Sequence, residues 1–495
     1  MKKSVLPKTI FQTAFRSTLI FLMVRLIQVI SGVVRNKFGA VFLGPFGIGL
    51  FGIYMNSINL IQKISSLGIS EVAMRDISEI KEHKSEKDTQ NIMSIVKILS
   101  KYTGLLGLII MILFSPILSK LNFGSYDYTL EFILISIIIF FNILNEGNLS
   151  ILKGLRKIKY LAYANSVVSF IGAILVIPFY FYLGVAGIIP LLIIISISSY
   201  LVGNFYLNKF FKKNRKVNLK DFKQIIFSMI KIGLAVVSVS FLGFLFEMLV
   251  ISYLTINSGT DTVGYYFAGY SIVITYFGLI INSIVVDFYP RISSKLNNIN
   301  YLTSELNEQT RIGLILILPL SILLCYLSQD IVKVLFNSEF ILASKFIDFA
   351  ILGSIFMVVS NNSGMVIIAK KMSKIYTYIS IIHRLLLLII YYFLYQTYGF
   401  IGLGLGYLFN GLLQFIFYEL ILFKYLSIRH SKQNYLLLFI VLISSIFMLI
   451  LKSNFSFIHG HSDLIFLIYF IISSAYSLKF IKDKNGFDFL IKKRQ

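Results

Sequence analysis

Long apolar segments recur from one end of this 495-residue chain to the other. Fourteen can be delimited, near 14–36, 43–67, 94–118, 128–149, 160–182, 185–207, 225–253, 263–288, 308–327, 346–369, 375–396, 400–423, 434–451 and 464–481. A helix that crosses a bilayer needs roughly 20 mostly apolar residues. A β-barrel would show alternating segments of about ten residues instead. The expected fold is therefore an all-α polytopic membrane protein of about 14 transmembrane helices. Composition agrees, with 57% hydrophobic residues against about 45–50% in soluble domains. The first segment is longer than a signal-peptide core, and no small-residue cleavage site follows it, so it reads as a retained helix.

The formal net charge of +24 would suggest nucleic acid in a soluble protein. Here its distribution gives a different reason. If the N-terminus is cytoplasmic, the cytoplasmic ends and loops hold 33 Lys and Arg, and the opposite loops hold four. Such asymmetry sets orientation in the membrane. It places both termini in the cytoplasm and leaves no nucleic-acid partner to be inferred. Trp is absent, so Tyr and Phe supply any aromatic belt. Cys325 lies in an apolar run and reads as packing. No GxxxxGK[ST] loop, HExxH or CxxC is present, which argues against direct ATP coupling and a metal-dependent activity.

The chain also repeats itself. Gly47-x4-Gly52 recurs as Gly264-x4-Gly269, and Lys153-x3-Lys157-Ile158 as Lys370-x3-Lys374-Ile375, each offset by 217. Gly184-x2-Gly187 recurs as Gly399-x2-Gly402, offset by 215. The offset covers six helices. The expectation is two six-helix bundles in one orientation, related by a pseudo-twofold along the membrane normal, as in transporters built from parallel repeats. The organisation read from this is a bundle over 1–207, a basic linker over 208–224, a second bundle over 225–424, and an added helix pair with a basic tail over 425–495.

Charged residues inside hydrocarbon cost about 2.5–3.5 kcal/mol each on insertion scales, so they usually face a cavity or a partner. Thr18, Arg25, Gln28, Gly32 and Arg35 share one face of the first helix. Gly49, Gly52, Asn56, Asn59 and Lys63 share one face of the second. Further interior polar positions include Asn142, Asn145 and Glu146, then Glu247, then Tyr266, Tyr270, Tyr276 and Asn282. Asn361, Asn362, His383, Arg384, Asn410, Gln414 and Glu419 follow. Arg16, Lys97, Lys101 and Lys231 lie near the lysine-rich ends, where long side chains can snorkel. Arg25 is mid-helix, where snorkelling is hardest. Arg35 and Lys37 end the first helix and admit both readings. Deep cations outnumber deep acids, which favours an anionic substrate. Arg suits phosphate because its planar fork donates bidentate hydrogen bonds.

The stretch AVFLGPFGIGLFG at 40–52, with Lys37 before it, resembles the Wzx-type lipid-linked oligosaccharide flippases of the multidrug/oligosaccharidyl-lipid/polysaccharide (MOP) exporter superfamily. The likeness continues at SLGISEVAMRDISE (66–79), at VGYYFAGYSIVITYFGLIINSIVVDFYPRIS (263–293) and at 335–370. The family tends to carry Gly-Asp-x-x-Lys in its tenth helix. Here 353–357 reads Gly353-Ser354-Ile355-Phe356-Met357, so no role of that pair carries over. Fourteen helices also resemble the lipid II flippase branch, in which the extra pair helps form a groove for the lipid tail.

The resemblance implies a non-enzymatic flippase working by alternating access on an undecaprenyl-pyrophosphate-linked oligosaccharide. It implies no cofactor beyond H+ or Na+ as coupling ion. Membrane lipids, a polymerase and other polysaccharide-assembly proteins would be partners of a monomer. Under this reading Arg25, Lys63, Arg35, Lys37 and Arg384 are the pyrophosphate candidates. Asn56, Asn59, Tyr266, Tyr270, Asn361 and Asn362 are the sugar contacts, and Glu247 is the coupling acid. Two rivals stay open. A multidrug/cation antiporter of the same superfamily would want a deep carboxylate in its first helix, which is absent. A membrane-embedded polymerase or glycosyltransferase would want large outer catalytic loops, and the longest outer loop is only about 328–345.

Overall fold

Gly44 breaks the first long helix. Its φ of 64° and ψ of −170° lie outside the helical range, and Pro45 follows. Glycine takes a positive φ without steric cost, and proline lacks the N–H that would continue the ladder. The computed structural model describes residues 8–83, 85–211, 223–278, 288–293, 296–453 and 461–483, with backbone alone over 8–26. Among these residues there is no strand.

The helices are α1 (Lys8–Ser65, bent at Gly44), α2 (Ile69–His83), α3 (Glu86–Phe123), α4 (Thr129–Gly154) and α5 (Ile158–Leu183). A single 3-10 turn joins α5 to α6 (Ile188–Asn208). Then come α7 (Lys223–Ser258), α8 (Thr260–Tyr270) with a wide π turn over Ser271–Phe277, and α9 (Phe288–Ser293). α10 (Ile299–Leu335), α11 (Ala343–Ala369), α12 (Ser373–Tyr398), α13 (Phe400–Leu426), α14 (Lys432–Lys452) and α15 (Ser462–Asp483) complete the described chain. Eleven described stretches are long and apolar enough to cross a membrane. Two of them, Ile27–Ser65 and Ile158–Asn208, each hold a pair of the helices expected from sequence. The eighth expected helix, 263–288, lies partly outside the described residues. The protein is thus multi-pass and all-α, consistent with about fourteen spans.

Contacts divide the chain into two units, Met1–Gly264 and Tyr265–Gln495. In the first, the 70–92 connection folds into α2. Its apolar face (Ile69, Val72, Ala73 and Ile77) joins Ile92, Ile95 and Val96 of α3 and Ile151 and Leu152 of α4 in one buried cluster. Glu71, Arg75, Asp76, Glu79, Lys81 and Glu82 charge much of the rest of α2, so the element is amphipathic and too polar to span. Met229 brings α7 into the same cluster. α7 also meets the α1–α2 turn where Gly68 and Gly233 touch backbone to backbone, and Ser252 donates to Asn122 at 2.9 Å. These contacts, rather than the repeat, group α7 with the N-terminal unit.

In the second unit α11 and α13 cross closely. A Cβ on Gly411 would stand 2.1 Å from the Gly353 carbonyl oxygen, the small-residue approach typical of membrane helix pairs. The added pair, α14 and α15, is tied to α10. Ser445 donates to Ser321 at 3.0 Å, and Ser477 donates to the Ile315 carbonyl at 2.7 Å. Tyr326 stacks on Phe466 with centroids 4.4 Å apart.

The repeat has a backbone counterpart. Gly184 (φ 54°, ψ −134°) and Gly399 (φ 55°, ψ −135°) close α5 and α12 with matching conformations. Arg156 and Lys371 take positive φ values of 57° and 59° at equivalent turns, an offset of 215, so the match of Lys153 with Lys370 at 217 is two residues out of register with the backbone. The following amides donate to Leu152 and Ile367, again equivalent.

Candidate functional site

In the first unit, polar side chains of α1 and α4 meet. Gln62 donates through Nε2 to Glu146 Oε1 at 2.7 Å, and Asn142 donates to Gln62 Oε1 at 3.2 Å. One residue further along α1, Lys63 forms an ion pair with Glu71 of α2 at 3.0 Å. Lys63 therefore has a protein carboxylate beside it and is not a bare cation. Asn56, on the same face, is buried with its Oδ1 unpartnered. Asn59 is half-buried.

Beside this cluster lies a cavity of about 270 Å³ lined by Gln28, Asn145, Asn165, Ser169 and Ser199. Its polar lining is amide and hydroxyl. Asn145 Oδ1 is buried without a partner, and a Cβ on Gly203 would stand 2.3 Å from it. Amides offer both donors and acceptors, the chemistry that matches sugar hydroxyls or ordered water.

In the second unit, His430 is buried between Glu419 of α13 and Ser363 of α11. Its Nε2 lies 3.1 Å from Glu419 Oε1 and 3.2 Å from Ser363 Oγ. Tyr435 of α14 donates to the other carboxylate oxygen of Glu419 at 2.6 Å. Serine and acid converge on one ring nitrogen, and His430 Nδ1 has no partner. A nucleophilic relay needs them on opposite nitrogens, so this cluster is not one. Nearby, Asn362 donates to Thr310 at 3.4 Å, and its Oδ1 is buried and unpartnered. Gln414 donates to Asn361 at 3.4 Å. His383 Nε2 meets the Asn410 carbonyl at 3.2 Å.

The remaining predicted positions are placed as follows. The Arg25 side chain, the Tyr276 side chain and Asn282 lie outside the described residues. Arg35 is half-buried, and its Nε is buried with no hydrogen-bond partner. Lys37, Glu247 and Arg384 are half-buried and engaged with neighbours. Tyr266 is buried, its ring 5.6 Å from Tyr270 and 5.2 Å from Phe346. Sequence reading missed Gln62, Glu71, His430 and Tyr435. Glu71 stands only eight residues after Lys63, and the intervening Leu67 and Gly68 take positive φ, a tight turn that brings acid to base.

Because Lys63 and Glu71 are both partly exposed, at 23% and 34%, their pair is worth about 1 kcal/mol. Lys63→Met should lower stability in detergent by that amount. Adding Glu71→Gln should restore most of it, read by thermal unfolding. No recovery in the double variant would show that the pair is not what Lys63 stabilises.

Two family models match. Polysaccharide biosynthesis protein covers residues 14–296, and lipid II flippase MurJ covers 180–473. The chain belongs to these two families. Both matches take in more than half of it. No curated protein sequence matches it. Among solved structures, lipid II flippase MurJ in an inward closed conformation aligns with a TM-score of 0.72 at 20% identity, covering 94% of this chain and 99% of that one. An inward-facing multidrug resistance MATE family transporter aligns at 0.64 and 15% identity, covering 81% and 97%. A MOP superfamily transporter from Pyrococcus furiosus aligns at 0.56 and 15% identity, covering 81% and 93%. At these identities the structures establish the fold. As a member of the flippase family matched over 180–473, the chain is a transporter, not a catalyst.

Proposed function

We propose that the protein flips an undecaprenyl-pyrophosphate-linked oligosaccharide from the cytoplasmic to the outer leaflet, for assembly of an O-antigen-like surface polysaccharide. The carrying observation is the match to the polysaccharide biosynthesis family over 14–296, which contains Arg25, Arg35, Lys63 and the amide-lined cavity. Arg25 and Arg35 hold pyrophosphate, while Asn56 and Asn59 of the same unit meet sugar hydroxyls. Glu247 couples the cycle to an H+ or Na+ gradient. One elementary charge crossing 100 mV is worth about 2.3 kcal/mol, enough to bias such a cycle. The protein acts as a monomer in the inner membrane, with cytoplasmic termini, alongside a polymerase and other assembly proteins.

A second reading is lipid II as substrate. It is favoured by the MurJ match over 180–473, which extends into α15. Depleting the protein in its host separates the two. The expected outcome is loss of surface polysaccharide, with lipid-linked oligosaccharide accumulating on the cytoplasmic leaflet while peptidoglycan synthesis continues. Lysis with lipid II accumulation would assign the peptidoglycan precursor instead. Normal export of both would sink the flippase reading.

A further inference from the structure

Lys97 and Lys101 lie one helical turn apart on α3, near its lysine-rich end, where snorkelling to water would explain them. The structure shows Lys97 doing something else. Its Nζ bonds to Asn204 Oδ1 of α6 at 3.0 Å and sits 4.6 Å from the centre of the Phe211 ring. Its charge is thereby fixed in place between helices. Lys101 is a turn deeper on the same span and exposed at the helix surface.

Both lysines line a groove of about 450 Å³ between α3, α4 and α6, together with Ser100, Asn148, Phe141 and Tyr200. The lining includes no Asp or Glu. Asn148 is only 2% exposed, and its Nδ2 has no hydrogen-bond partner. A buried amide donor left unpaired costs about 1–3 kcal/mol, so this wall of the groove is short of an acceptor. Gly147 lets α3 approach closely here, since a Cβ at that position would stand 2.1 Å from Ser100 Oγ. Phe141 and Tyr200, with ring centres 5.8 Å apart, supply an apolar side.

Two ammonium groups, a buried amide donor and an aromatic wall, opening on the exposed side of a membrane span, suit an anion attached to an apolar tail. We propose that this groove binds a phosphate group presented by an anionic membrane lipid, at a site separate from the transport path. The phosphate meets Lys101 and Lys97, the Asn148 amide supplies the third donor, and the lipid's upper chain lies along the aromatic wall. The chemistry is that of juxtamembrane lysines and acidic headgroups, with the added direction of a buried donor.

The chain contains no Trp, so Phe141→Trp, excited above the tyrosine absorption band, places a sole tryptophan reporter in the groove. The full-length variant is reconstituted in vesicles holding either phosphatidylglycerol or phosphatidylcholine with brominated acyl chains. Brominated phosphatidylglycerol should occupy the groove about tenfold more strongly than phosphatidylcholine, two lysines being involved. Lys101→Gln, at an exposed position that leaves packing intact, should bring the ratio near one, and Asn148→Leu should reduce it severalfold. Equal quenching by the two lipids in the parent, or a preference that survives both substitutions, would overturn the proposal. Inorganic phosphate at the ionic strength of a chloride control should leave the quenching unchanged. If phosphate abolishes the preference and chloride does not, the ligand is a soluble anion and the lipid assignment fails. No transport substrate is present, so the outcome is independent of the flippase reading.

Discussion

Replacing Arg25 with alanine should reduce polysaccharide export about a hundredfold, at unchanged protein level, in cells that depend on this protein. Arg25 sits mid-way along the first expected span, three residues before Gln28, which lines the amide cavity of the first unit. A guanidinium at that depth is expensive unless an anion meets it, even on insertion scales. If pyrophosphate is that anion, truncating the arginine leaves the substrate's charge unpaired, a loss of about 2–5 kcal/mol. Arg25→Lys tests what kind of contact is lost. Lysine keeps the charge but cannot make a bidentate fork, so partial export, about tenfold below the parent, is expected. Full export by Arg25→Ala would remove this residue from the mechanism and leave Arg35, with its buried and unpartnered Nε, as the arginine to test next.

The helices were legible because their cause is local. An apolar segment of spanning length has to hydrogen-bond its own backbone in lipid, and GPFG at 44–47 announced the break that Gly44 makes. One pair of related turns was legible for the same reason. Gly184 and Gly399 mark turns that need a positive φ, and the turns share one geometry. α2 was harder to see, because its pattern is amphipathic rather than apolar and its burial depends on α3 and α4. The site was legible as residue types and not as pairs. The chain shows Lys63 as a lone interior cation, yet Glu71 stands 3.0 Å from it. Gln62 reads as an ordinary helix residue, yet it bridges Asn142 and Glu146. His430 follows a basic segment that looks like a loop, and only the fold brings Glu419 and Ser363 to it. Charge counting along a sequence thus overstates how many cations remain for a substrate, because tertiary neighbours decide which are already paired.

The same point predicts how the added helices are held. Lys452 lies at the end of α14. It bonds both oxygens of Asp348 on α11, at 2.8 and 2.9 Å, and reaches Ser328 of α10 at 2.5 Å. Ser328 in turn donates to Asp348 at 2.7 Å. The lysine and the aspartate are only 15% and 20% exposed, so three helices meet on one largely buried ion pair. Lys452→Met should destabilise the protein by about 3 kcal/mol, because it strands the Asp348 carboxylate away from water. Asp348→Asn alone should cost a comparable amount by stranding the ammonium. The double variant should recover most of the loss, since a buried pair replaced by neutral groups is often close to neutral in energy. Thermal unfolding in detergent, read as a double-mutant cycle, measures this directly. A coupling energy below about 0.5 kcal/mol would mean that α14 is held by its apolar face and by the Ser445–Ser321 contact instead, and that the ion pair is incidental. A large coupling, with transport intact in the double variant, would mean that the pair anchors the added helices and has no part in moving the substrate.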